Sequence, residues 1–183
     1  LSTGAGTITL NGTLTYTANV TSNPLGSTLS GNLSLGNATR TFAISDSTST
    51  TAELTVSANI SSTGTSGALT KTGAGHLILS GTNSQTGTTT TTAGTVTVNS
   101  GATLAGAAAN LTVNAGILNL DNAAQSVGAF AGTAGTVNFA TAHVFTATQS
   151  TNTSFGGTLN GADASLVKAG TGTLTLSGAN TYS

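Results

Sequence analysis

Apolar residues arrive in short alternating runs along this chain, one in two, and the runs are separated by Gly, Asn, Ser and Thr. A period of two residues is that of a β-strand with one face turned inward. The pattern predicts strands at Thr7–Leu10, Thr13–Val20, Ser30–Leu35, Thr41–Ile44, Glu53–Val56, His76–Leu79, Thr95–Val98, Asn110–Val113, Ile117–Leu120, Thr136–Phe139, His143–Thr146 and Thr173–Leu176. Each run is too short to bury its apolar face alone, so the expected solution is to stack many such strands, each covering the next. At roughly 20 residues per coil the chain would make roughly eight to ten coils. The axis would then run roughly 40–50 Å at ~4.8 Å per coil.

One stretch occurs twice. Leu69 to Asn83, LTKTGAGHLILSGTN, reappears from Leu166 onward as LVKAGTGTLTLSGANTYS, and Gly4 to Gly12, GAGTITLNG, keeps only the Gly-x-Gly core. In both full copies Gly73-x-Gly75 or Gly170-x-Gly172 precedes an alternating pair, Leu77 and Leu79 or Leu174 and Leu176, and Gly81 or Gly178 follows it. Glycine takes positive φ without a Cβ penalty, so these positions read as the turns on either side of a strand.

These residues resemble the passenger-associated repeat, also called the autotransporter-associated β-strand repeat, of exported bacterial proteins. Ser30 to Ile44 and Leu118 to Phe130 resemble the stretches between such repeats. The resemblance implies a right-handed parallel β-helix in a secreted or cell-surface protein, such as a fibre, filament or adhesin stalk. It carries no activity with it.

Composition narrows the function classes. Charged residues are 4% of the 183, net charge is −1, and apolar residues are 37%. That balance offers no electrostatic footprint for nucleic acid or an anionic membrane surface. No apolar run approaches the ~20 residues of a membrane helix. Cysteine is absent, which removes disulfides and thiolate metal sites. Seven aromatic residues suit a slim coil filled by Leu, Val, Ile and Ala. Pro24 reads as a corner outside the ladder, residues 1–27 as a less regular N-terminal coil or junction, and 28–183 as one continuous stack. The threonine run Thr88–Thr92 is the other candidate boundary. Neither end resembles a cap, so both ends are expected to continue, into the same polypeptide or against another copy.

Candidate chemistry is sparse. Glycoside cleavage needs two carboxylates within roughly 5–10 Å, and the acids are Asp46, Glu53, Asp121 and Asp163. Asp46 and Glu53 lie close in sequence but read as solvated turn residues. Lys71 and Lys168 hold equivalent repeat positions and read as outward charges that discourage sideways pairing; Arg40 reads as outward too. His76 and His143 have no ligand partners at metal spacing and read as surface residues. The expectation is therefore a protein that is not an enzyme and holds no cofactor or metal. The alternating threonines Thr13, Thr15 and Thr17, Thr95 and Thr97, and Thr171, Thr173 and Thr175 offer outward hydroxyls. They support a second reading, a module that binds a glycan, a host surface or ice.

Overall fold

The computed structural model describes residues 1–18, 26–47, 52–121 and 124–182. Pro24 and Ser183 lie outside the described residues, as does most of the segment next to the expected boundary at residue 27. The first strands are β1 (Ser2–Thr9), β2 (Leu14–Tyr16), β3 (Ser27–Ser34), β4 (Arg40–Ile44), β5 (Leu54–Val56), β6 (Asn59–Ser61) and β7 (Leu69–Thr72). There follow β8 (His76–Leu79), β9 (Thr89–Thr91), β10 (Thr95–Val98), β11 (Leu111–Val113), β12 (Ile117–Leu120), β13 (Ala124–Val127) and β14 (Phe130–Ala131). The last are β15 (Thr136–Phe139), β16 (Val144–Thr148), β17 (Thr153–Phe155), β18 (Thr158–Asn160), β19 (Ser165–Ala169) and β20 (Leu174–Leu176).

Every ladder is parallel, and partners lie one coil apart in sequence, so the chain is an all-β parallel solenoid. Three columns of strands make its walls. The first runs through β3, β5, β8, β10, β12, β15 and β18. The second begins with Thr7–Thr9 of β1 on β3, passes to β6, and ends as β13, β16 and β19. Between β6 and β13 it is carried by loop contacts such as Ser84 N–H to Ile60 O (2.7 Å) and Gly106 N–H to Gln85 O (3.0 Å). The third runs β2, β4, β7, β9, β11 and β14, then through the Gly132–Phe155 bridge to β17 and β20.

There are about seven turns, fewer than the eight to ten expected. The reason is uneven coil length. Register partners near the N-terminus are 25 to 29 residues apart (Ile8 with Leu33, Arg40 with Leu69), whereas later partners such as Leu77 with Val96 are 19 apart. Loops between the early strands absorb the extra residues without adding a turn. The axis is accordingly about 34 Å at ~4.8 Å per turn.

Inward side chains form stacked rows. Leu54, Leu77, Val96, Leu118, Val137 and Leu159 stand in register, and Leu29, Val56, Leu79, Val98, Leu120 and Phe139 form the neighbouring row. All are buried, and each contributes ~1.5–3 kcal/mol of apolar burial. The C-terminal half admits rings: Phe130 packs on Phe145 (5.3 Å) and Phe155 (4.7 Å), and Phe139 lies 5.5 Å from Phe145. Small inward neighbours make the room. Gly132 stands between Val113 and Phe155 along the third column, where a side chain would collide with the Val113 carbonyl.

Thr88–Thr92 contributes β9 to a six-stranded sheet, with Thr89 and Thr91 buried. Threonine is β-branched and packs well on a pleated surface, so a run of it makes a strand as readily as a linker. His143 is fully buried and stacks on Phe139 at 5.2 Å. Its flat ring completes the aromatic cluster instead of facing water.

Candidate functional site

The repeat turn is the most organised polar site in the described chain. Leu69 and Lys71 alternate inward on β7, the chain turns at Gly73-Ala74-Gly75, and Leu77 and Leu79 alternate inward on β8. Lys71 therefore points into the solenoid and is fully buried, contrary to its reading as an outward charge. The period itself held the signal: Lys71 is in phase with Leu69. In register it sits between Phe42 below and Thr91 above.

The ammonium remains inside because the turn supplies acceptors. Lys71 Nζ donates to the carbonyls of Thr72 (3.0 Å) and Gly73 (2.7 Å), and across the next coil to Ala93 (3.2 Å). Burial pushes its pKa down to about 8, while the Glu53 carboxylate pulls the other way. Glu53 is itself buried, not the solvated turn residue expected from its surroundings in sequence. Its Oε1 accepts from the Ser47 N–H (3.2 Å) and hydroxyl (3.1 Å), and its Oε2 from the His76 N–H (2.6 Å). Loss of water alone would raise this carboxyl; the hydrogen bonds from His76 and Ser47 outweigh it and hold the pKa below its ordinary value. The site is a clasp joining three consecutive coils, the ammonium held by backbone carbonyls and the carboxylate by the Ser47 and His76 donors.

The glycines are there because another coil lies against them. Gly73 has φ 77° and Gly170 φ 78°. A Cβ on Gly75 would stand 2.5 Å from the Ser45 carbonyl, and one on Gly81 would collide with Ala58 O. The repeat's asparagine also has a defined task. Asn83 Oδ1 accepts from Ile60 N–H (3.0 Å), and Asn180 Oδ1 from Leu159 N–H (2.9 Å), each tying its strand end to the preceding coil.

The second copy reproduces this turn with less cover. Lys168 Nζ donates to Ala169 O (3.4 Å) and Gly170 O (2.9 Å), yet Lys168 is exposed. Leu174 and Leu176 are half-buried, where Leu77 and Leu79 are fully buried. The two copies also occupy different walls. β7 and β8 belong to the third and first columns, whereas β19 and β20 belong to the second and third.

The threonines do not converge on one face. Thr13, Thr15 and Thr17 lie around β2 at one end, Thr171, Thr173 and Thr175 around β20 at the other, and Thr95 and Thr97 on β10 in a different column. Thr97 is buried and engaged: its Oγ1 contacts His76 Nε2 (2.8 Å) and accepts from Asn119 Nδ2 (3.2 Å). That pair starts an amide ladder along the first column, in which Asn138 donates to Asn119 (2.8 Å), Asn160 to Asn138 (3.1 Å), and Thr181 to Asn160 (2.8 Å). Isolated Asn residues in separate strands give no sign of this; only register aligns them. A threonine row missed in the sequence lies in register on the outer side of the third column: Thr41, Thr70, Thr90 and Thr112.

Of the remaining charged residues, Asp46, Asp121 and Asp163 are exposed, and Asp163 sits in a turn at φ 56°. Arg40 is half-buried in phase with Phe42, its Nε donating to Leu35 O at 3.0 Å. Among the described residues no three of His, Cys, Asp or Glu gather where they could hold a metal ion.

The family model of the passenger-associated-transport-repeat matches residues 69–105 and 166–183, which are the two clasp turns and, for the first, the coil that covers it. No curated protein and no solved structure matches the chain. That repeat implies a secreted or surface-exposed protein, and with the solenoid it fits an extracellular passenger-type structural domain. This chain is thus a β-solenoid that carries a match to the passenger-associated-transport-repeat at the two stretches where Lys71 and Lys168 close a glycine turn.

Proposed function

We propose that the chain is a structural module of an extracellular bacterial surface fibre, filament or adhesin stalk, in which solenoids continue one another end to end. The observation that carries this reading is the state of the end strands. Among the described residues β1 and β2 pair only on β3 and β4, and β19 and β20 only on β16 and β17. Each leaves a backbone edge open to another strand. The mechanism is mechanical. Hydrogen bonds parallel to the axis, stacked apolar rows and inter-coil contacts such as Lys71 with Ala93 O and Glu53 with His76 N–H resist bending, and no chemical step is required. The partner at either end is self or continuing polypeptide, not nucleic acid. No described helix is long and apolar enough to cross a membrane, and we propose no membrane insertion for this segment.

Negative-stain microscopy and sedimentation across a concentration series test the reading. Rods that lengthen with concentration are expected. Compact monomers at every concentration overturn it.

A second reading, a module that binds a glycan, host surface or ice, draws support from the in-register row Thr41, Thr70, Thr90 and Thr112. A glycan array and a thermal-hysteresis measurement test it; silence in both removes it.

A further inference from the structure

On the outer side of the third column the row Thr41, Thr70, Thr90 and Thr112 breaks at Ala131, and two hollows open side by side where it breaks. Their volumes are about 400 Å³ and about 380 Å³, within the roughly 300–1,000 Å³ of small-ligand sites. Register explains them. Thr112 pairs with Ala131, and the Gly132–Phe155 bridge sets Ala131 beside Ser154. Two residues back along the same strands, where side chains again point outward, Ala129 lies between Asn110 and Asn152 by the same register. The middle coil is thus the low floor of a trough, and the coils on either side are its banks, two coil spacings or about 9.6 Å apart.

The banks carry amides that are fixed by their oxygens. Asn110 Oδ1 accepts from the Ala129 N–H (2.8 Å), and Asn152 Oδ1 from the Thr173 N–H (2.9 Å). Each oxygen is engaged by the next coil, which leaves the NH2 group, without a partner among the described residues, to the hollow that the residue lines. Gly128 makes room for the first of these anchors: a Cβ there would lie 2.6 Å from Asn110 Oδ1 and 2.5 Å from Ala108 O. The side chains of Thr112, Asn114 and Ser154 line the second hollow and make no hydrogen bond among the described residues. No residue lining either hollow is ionisable.

We infer that this trough binds a neutral oligosaccharide laid along the strands, across the solenoid axis. The inference rests on the second reading above and gives it a site. A charged ligand finds no counter-charge here, and an ion brought into the hollow loses water with nothing to replace it. A sugar chain matches the lining. Its hydroxyls accept from the Asn110, Asn114 and Asn152 amides and exchange hydrogen bonds with Thr112 and Ser154, while the C–H face of a ring rests on Ala129 and Ala131. A peptide matches it less well, because the alanine floor has no pocket for a side chain. From Asn110 to Asn114 the bank spans about 13 Å, room for a short run of sugar units.

Ala131→Thr tests the site while keeping the fold, because threonine already holds the same outward position in four other coils. Asn114→Ala is the second arm and removes an amide that holds nothing else in place. Wild type and both variants are titrated with neutral hexasaccharides of glucose, mannose and galactose at millimolar concentrations, with binding read from amide shifts in nuclear magnetic resonance. Wild type is expected to bind at least one of them, and each variant to bind it at least about tenfold more weakly with an unchanged melting temperature. Wild-type affinity in either variant overturns the trough but leaves a glycan-binding module standing. A wild type silent to all three sugars overturns the trough, and binding of an uncharged Ser-Gly peptide in their place does the same. Thermal hysteresis in that silent protein leaves the threonine row standing as an ice-binding face.

Discussion

Lys71 holds an amine inside the solenoid with a pKa of about 8, against an ordinary 10.5, and this ties stability to pH. Below pH 8 the folded and unfolded chains both carry the proton, and the folded state bears the whole cost of a buried ammonium. Between pH 8 and 10.5 the unfolded chain keeps a proton that the folded chain has released. Stability therefore rises with pH in that window, by up to about 1.4 kcal/mol per unit. Integrated from pH 7 to 9.5 the gain is about 2 kcal/mol. The perturbation that isolates it is Lys71→Met, an unbranched side chain one heavy atom shorter that cannot ionise. Urea unfolding followed by circular dichroism at pH 7 and 9.5, below the concentration of assembly, gives both profiles. A constant urea slope shows that the same transition is being compared. The variant leaves three carbonyls without their donor, so its stability at any single pH mixes several effects. The difference in pH dependence does not. Equal pH dependence in wild type and variant, or a wild type that weakens relative to the variant on raising the pH, refutes the reasoning.

Three more outcomes follow from the same structure. Glu53→Gln should cost about 1–3 kcal/mol at neutral pH through weakened charge-assisted hydrogen bonds. Because the folded-state pKa lies below 4.5, wild type should lose that contribution as pH falls through the folded value, and the variant should not; acid titration of both by circular dichroism decides it. Gly94→Ala should cost well over the roughly 1 kcal/mol of a positive-φ alanine, since its Cβ would lie 2.5 Å from two carbonyls. Gly101→Ala, at φ 80° with nothing within 4 Å, should cost only about that 1 kcal/mol, and thermal melts of the two variants compare them. Asn138→Ala removes a donor to Asn119 and an acceptor for Asn160 and should cost about 1–2 kcal/mol, read from the urea midpoint.

The strand positions, the parallel stacking and the repeat turn are legible in the residues because each depends on neighbours a few positions away. Leu77-x-Leu79 announces a strand, and Gly73-x-Gly75 a turn that admits close approach. Alternation even placed Lys71 inward beside Leu69; only the habit of putting charges outside argued against it. What the residues could not disclose is which coil lies on which. Lys71 is buried and Lys168 exposed although their sequences match, because Thr91 and Ala93 cover the first and no coil among the described residues covers the second. Glu53 becomes a clasp, the asparagines a ladder and His143 part of an aromatic cluster only when the register is set. That register follows from the cumulative length of irregular loops, 19 residues in one coil and 29 in another. Period-two alternation repeats too soon to count those residues, so local pattern determined the walls, and the winding of the whole chain decided what meets across them.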